Sequence, residues 1–212
     1  MPLKNVAVLV SGSGTNLQAI IDAIDRKEIP ARICVVISSK RDVFALTRAE
    51  KAEIPSVAIP RKEYADFDLY FKDILDCLVS HNTDYIVLAG YLSILSPEII
   101  DKYRNKIINI HPALIPSFCG KGFYGSRVHQ AVLDYGVKVT GATVHFVNEV
   151  PDDGPIILQE CVPVLDGDDV ETLSKRVLEK EHKLLVQALM LLVTDRLEIR
   201  GRRVIIREEA IR

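Results

Sequence analysis

The chain contains no Cys-x-x-Cys pair; its four cysteines, at positions 34, 77, 119 and 161, lie far apart. Such spacing argues against a zinc site or a disulfide framework, and leads us to expect no metal and reduced thiols in a cytoplasmic protein. An excess of either charge is also missing, with 27 Lys and Arg against 29 Asp and Glu and a formal net charge of −2. No bulk field therefore attracts nucleic acid or an anionic membrane, and any bound phosphate must be held by local geometry. No stretch approaches the roughly 18 uninterrupted apolar residues of a membrane span. The opening Met1-Pro2-Leu3-Lys4-Asn5-Val6 passes directly into a strand pattern rather than a signal peptide. Internal repeats and low-complexity tracts are absent. What is present is ordinary for a packed protein of one domain, with 48% hydrophobic and 26% charged residues over a length of 212.

Continuous rather than alternating apolar runs predict strands covered on both faces at Val6 to Val10, Ile33 to Ile37, Tyr85 to Leu88 and Ile107 to Ile110, with a weaker one at Ser56 to Ile59. Helical spacing of Leu17, Ile20, Ile21 and Ile24, and of Ile74, Leu75 and Leu78, places helices between them. Alternation of this kind implies an α/β fold with a doubly wound, mostly parallel sheet. Beyond a glycine-rich stretch from Gly120 to Gly125 the pattern changes. It predicts a helix over Arg127 to Leu133, two longer strands at Val139 to Val147 and Ile156 to Val164, and a long helix from about Asp169 to Val193. A terminal hairpin follows over Leu197 to Ile206, making an antiparallel extension. Asp168 and Glu171 suggest a capping box at the start of the long helix. We expect a single domain over 1–212, with one half to about residue 111 and a second from about 112.

Three places carry chemistry. Val10-Ser11-Gly12-Ser13-Gly14-Thr15-Asn16 is a strand-to-helix turn whose glycines and free N–H groups suit an anion. Position 17 is Leu where a dinucleotide fingerprint needs its third glycine, and the second strand ends in Ser38-Ser39-Lys40 rather than in an acid, so a small phosphate-bearing ligand fits better. In Ile108-Asn109-Ile110-His111-Pro112, residues i and i+2 of a strand share a face. Asn109 and His111 therefore point together at a carboxyl-terminal strand edge, where open α/β sheets bind ligands. The third place is the Asp152-Asp153-Gly154-Pro155 loop, which matters if its carboxylate reaches His111. Glu181 falls inside the apolar stripe of the long helix, where a carboxylate needs donors, either a structural partner or a polar ligand. His81 is expected to be exposed, His129 has no evident partner, and His145 either nears the site or finishes a sheet face. The arginine-rich tail reads as a solvated hairpin.

Together, Ser11-Gly12-Ser13-Gly14-Thr15-Asn16-Leu17-Gln18-Ala19-Ile20, Leu88-Ala89-Gly90-Tyr91, Ile108-Asn109-Ile110-His111-Pro112-Ala113-Leu114-Ile115-Pro116, Thr143-Val144-His145-Phe146-Val147 and Gly154-Pro155-Ile156-Ile157 resemble the folate-dependent phosphoribosylglycinamide formyltransferases. The resemblance implies transfer of a formyl group from 10-formyltetrahydrofolate, a co-substrate, to the glycinamide amine in purine synthesis. It implies that Asn109 and His111 donate hydrogen bonds to the tetrahedral oxyanion and that Asp152 holds the imidazole and raises its pKa. Gly14, Thr15 and Asn16 would cradle the ribose phosphate and Glu181 a ribose hydroxyl. Leu92, Ser93, Ile94 and Leu95 would meet the pterin, beside Asn109.

The sequence departs from that pattern at Ser93, where the family carries arginine, and at Phe67, where a basic residue meets the folate tail; Arg61 or Lys62 would then serve the tail. Gly120 to Gly125, in the second, folate-binding half, would form a lid whose closure excludes water from the formyl donor. Small-molecule substrates, no nucleic acid or membrane partner, and a homodimer complete the expectations. The alternatives are a formyltetrahydrofolate hydrolase or another formyltransferase of the same group and, from a different class, a nucleotide-binding oxidoreductase.

Overall fold

The computed structural model describes residues 3–208, so the two ends of the expected 1–212 domain lie outside the described residues. The chain divides into two compact units, one up to Ile108 and one from Asn109 onward.

In the first unit, β1 (Lys4–Val10), β2 (Ala31–Ser38), β3 (Ser56–Ala58) and β4 (Tyr85–Leu88) pair in parallel in the order β3-β2-β1-β4. Residues 6 to 10 of β1 and all of β4 are buried, which is why their sequences are apolar without alternation. Strand order runs outward from β1 to β3 and resumes with β4 on the other side of β1. The carboxyl ends of β1 and β4 thus flank a topological switch point. α1 (Thr15–Asp25) buries Leu17, Ile20 and Ile21, and α3 (Phe67–Ser80) buries Tyr70, Ile74 and Leu78.

Two helices were not foreseen. α2 (Phe44–Lys51) buries only Ala45 and Ala49, too weak a stripe to read from periodicity. α4 (Pro97–Lys102) is six residues long, with the Ser96 hydroxyl accepting from the Ile99 N–H and proline at its first turn. A 3₁₀ turn, Arg61–Glu63, precedes α3. β5 (Ile107–His111) carries the boundary between the units.

In the second unit, α5 (Ser126–Tyr135) is followed by β6 (Val139–Phe146) and β7 (Ile156–Pro163), an antiparallel pair in which Thr143 faces Gln159. α6 (Val170–Val193) packs on both strands and buries Leu173, Val177, Leu184, Leu185 and Ala188. β8 (Leu197–Arg200) and β9 (Arg203–Ile206) form the terminal hairpin, and β9 runs parallel to β7, giving the order β6-β7-β9-β8. The parallel strands followed by an antiparallel extension agree with the expected α/β class. The cap of α6 differs from expectation by one residue. Asp169 accepts from the Thr172 N–H and its own N–H donates to the Thr172 hydroxyl. Asp168 instead accepts from Arg176 through a bidentate pair of 2.7 Å bonds and from the Leu165 N–H at 2.8 Å.

Candidate active site

The end of β5 points Asn109 and His111 to one side, as strand alternation requires, and both meet Asp152. Asn109 Nδ2 lies 3.4 Å from Asp152 Oδ1, and His111 Nδ1 lies 3.5 Å from Asp152 Oδ2. His111 is 4% exposed. Its Nε2–H donates to the Phe118 carbonyl at 2.8 Å, so Nδ1 is the nitrogen that faces the carboxylate. When Nδ1 gains a proton, both ring nitrogens have acceptors and Asp152 becomes a counter-ion. Burial pushes the His111 pKa below its ordinary value against the raising influence of Asp152 and the Phe118 carbonyl. Asp152 thus raises the imidazole pKa as expected, but the loss of solvation is larger and leaves the net shift downward.

His145, on β6, belongs to the same cluster. Its Nδ1–H donates to the Phe146 carbonyl at 2.8 Å, and its Nε2 lies 3.0 Å from Asn109 Nδ2 and 3.6 Å from Asp152 Oδ1.

Asp152 sits at φ 56°, in the left-handed region that aspartate tolerates better than most residues. The turn that follows packs closely on β6. A Cβ on Gly154 would fall 1.7 Å from the Phe146 carbonyl oxygen, so only glycine lets the loop close against β6. Burial raises the Asp152 pKa, but His145, His111 and the Gly120 N–H, which donates to Oδ2 at 2.8 Å, more than offset it and the carboxyl titrates below its usual range. Asp153 turns the other way. Its carboxylate and carbonyl take Arg202, with Nη2 donating to the carbonyl at 2.8 Å, and Asn148 donates to Oδ2.

The first unit holds the glycine-rich turn at its switch point. Gly14 caps α1 in the left-handed region, Thr15 opens the helix, and Asn16 is buried. The Ser11 hydroxyl lies 2.6 Å from that of Ser39 and accepts the Leu92 N–H at 2.9 Å, tying the turn to the segment after β4. In that segment Leu92 and Ile94 are exposed, Leu95 is buried, and Ser93 lies between them. Arg61 donates to the Tyr64 carbonyl at 2.7 Å and stacks 3.0 Å from the centroid of the exposed Phe67 ring, whereas Lys62 is exposed. In the second unit Glu181 is buried in α6. His81 is half-buried and bonded to Cys77, His182 is half-buried, and His129 is buried with an unpartnered Nδ1. The backbone groups of Phe118 and Gly120 escaped sequence reasoning, since no residue type marks a carbonyl or an N–H. Among the described residues no cluster of three or more His, Cys, Asp or Glu could hold a metal ion, and no helix is long and apolar enough to cross a membrane.

The chain belongs to the formyl transferase family, whose family model matches residues 4–189. It is similar to the phosphoribosylglycinamide formyltransferase of Haemophilus influenzae, at 43% identity over 183 residues that cover 86% of this chain and 84% of that protein. It is likewise similar to the trifunctional purine biosynthetic protein adenosine-3 of Bos taurus, at 49% identity over 89% of this chain. The match spans only 18% of that longer protein. The solved structure of glycinamide ribonucleotide transformylase 1 from Symbiobacterium toebii superimposes with a TM-score of 0.92 at 40% identity, over 97% of this chain and 95% of that one. The mostly parallel mixed sheet with its helices is the fold of that structure.

Proposed function

We propose that this protein transfers the formyl group of 10-formyltetrahydrofolate to the amine of N1-(5-phosphoribosyl)glycinamide, a step of purine synthesis, in the cytoplasm and as a homodimer. The amine nitrogen bonds to the formyl carbon, the carbon–N10 bond of the folate breaks, and one proton passes from the amine to N10. The reading rests on one observation above the others: an amide and an imidazole from one strand face meet a carboxylate from a distant loop in a buried cluster.

In this reading Asn109 and His111 donate hydrogen bonds to the oxygen that becomes negative in the tetrahedral state, where a buried setting strengthens each bond. Asp152 orients the imidazole and balances its charge when Nδ1 holds a proton. Gly14, Thr15 and Asn16 bind the ribose phosphate, and Glu181 accepts from a ribose hydroxyl, which would account for a carboxylate in an apolar stripe. Leu92 to Leu95 offer backbone groups and apolar contact to the pterin, with Lys62 or Arg61 beside the folate tail. Of those two, Lys62 is the freer, because Arg61 already serves the Tyr64 carbonyl and the Phe67 ring. The loop from Gly120 to Gly125 would release the Gly120 N–H from Asp152 as substrates enter and close over them as a lid.

Incubation of the full chain with 10-formyltetrahydrofolate, with and without phosphoribosylglycinamide, tests the proposal. Tetrahydrofolate should form only with the amine present; release that ignores the amine would instead identify a hydrolase.

A further inference from the structure

Two carbonyls of the turn before α1 face α2. The Ala45 N–H donates to the Gly12 carbonyl at 3.2 Å, and Arg48 Nε donates to the Ser13 carbonyl at 2.9 Å. Across a trans peptide the carbonyl and the following N–H point to opposite sides. The Ser13 and Gly14 N–H groups are therefore turned away from α2, two neighbouring donors of the kind that hold an anion. Gly14, at φ 73°, permits this approach, since a Cβ there would lie 2.7 Å from Ala45 Cβ and 2.8 Å from Ala45 Cα. Arg48 is fixed at its other end as well. Nη1 donates to Gln18 Oε1 of α1 at 2.9 Å, and the guanidinium lies 4.8 Å from the centroid of the Phe44 ring. One side chain thus ties α2 to the turn and to α1 together.

We propose that Arg48 is a positioning residue for the substrate phosphate: by gripping the Ser13 carbonyl it presets the Ser13 and Gly14 N–H groups toward a phosphate monoester. The inference rests on the assignment of this turn to the phosphate. Arginine suits the task because its fork serves two acceptors at once and never loses its charge. Methionine at this position would keep an apolar stem against Phe44 but leave the Ser13 carbonyl and Gln18 without their donor. The turn would then have to be ordered by the ligand, so the loss falls on binding of the phosphorylated substrate and not on the chemical step.

The test is steady-state kinetics of the full chain and of Arg48→Met and Arg48→Lys, with phosphoribosylglycinamide and with its dephosphorylated analogue as the amine. Arg48→Met should raise KM for the phosphorylated amine about tenfold, with kcat and the KM of the analogue changing less than about twofold. Arg48→Lys, which keeps charge but has no fork, should fall between, near threefold. Equal shifts for both amines, or an unchanged KM in Arg48→Met, would overturn the positioning role. So would a wild-type KM in Arg48→Lys beside a raised one in Arg48→Met, because charge alone would then suffice. A wild-type enzyme that accepts both amines with one KM would refute the phosphate assignment itself, which separates that failure from Arg48's. If circular dichroism shows Arg48→Met unfolded, Arg48→Lys and Gln18→Leu decide: each should raise KM for the phosphorylated amine alone, and a KM unchanged in both overturns the role.

Discussion

At the scale of single residues, the buried pair of His111 and Asp152 sets the pH behaviour. Burial lowers the His111 pKa while Asp152 raises it in opposition, so Asp152→Asn should move the His111 titration further toward acid. Turnover should fall about 10²–10³-fold in His111→Ala and strongly in Asp152→Asn. Proton NMR of the imidazole in both proteins reads the shift, and movement toward alkali would contradict the arrangement. Asp153→Asn should cost less than about threefold, since that carboxylate serves the exposed Arg202 and Asn148; a larger loss there would mean that the loop roles are exchanged. His129 gives a second titration. Its pKa falls from 6.5 to about 4 because burial disfavours the charged ring. The unfolded chain then binds the proton first, so the stabilising contribution is complete above pH 6.5 and shrinks as the pH falls toward 4. Between about pH 7 and pH 5 the loss should be about 2 kcal/mol, read from urea unfolding, and His129→Gln should flatten that part of the pH dependence. Of these residues the sequence made Asn109 and His111 legible through alternation along one strand, whereas His129 gave no hint of its depth.

At the scale of elements, long apolar runs were readable because burial on both faces leaves no alternation to confuse, as in β1 and β4. α2 was not, since two alanines are its whole buried face. It is nevertheless the element that grips the glycine turn. The cap of α6 falls one residue later than the sequence suggests, because Asp168 and Asp169 are chemically alike and only geometry assigns one to Arg176 and the other to Thr172. The β6 to β7 connection offers a sharper test of how an element serves the site. A Cβ at Gly154 meets backbone, 1.7 Å from the Phe146 oxygen and 2.7 Å from its carbon, and no rotamer change relieves such a clash. Gly154→Ala should shift the loop that holds Asp152, lowering kcat by at least about tenfold and stability by about 1–3 kcal/mol. Asp169→Ala removes a cap far along the chain from that loop and should cost about 1 kcal/mol with kcat unchanged. Equal effects on kcat from the two would mean that the loop conformation is immaterial to turnover.

At the scale of the whole molecule, a net charge of −2 leaves no long-range field to gather a phosphorylated substrate. In the proposed reading, capture comes from dipoles and N–H groups in contact with the ligand, at the turn at the switch point of the first unit. Contact interactions are screened far less than attraction acting across a Debye length, which shrinks from about 10 Å at 0.1 M salt to about 3 Å at 1 M. A protein that gathers phosphates through a basic surface loses affinity steeply with salt. This one should not: KM for phosphoribosylglycinamide should change less than about threefold across that salt range. A steep, log-linear rise of KM with potassium chloride would instead point to capture by a basic surface, for which the arginines of the terminal hairpin, Arg196, Arg200, Arg202, Arg203 and Arg207, are candidates. Arg202 pairs with Asp153, and Arg200 and Arg207 pair with Glu198. A hairpin so paired has little field left to project, and for that reason a flat salt response is the expected result.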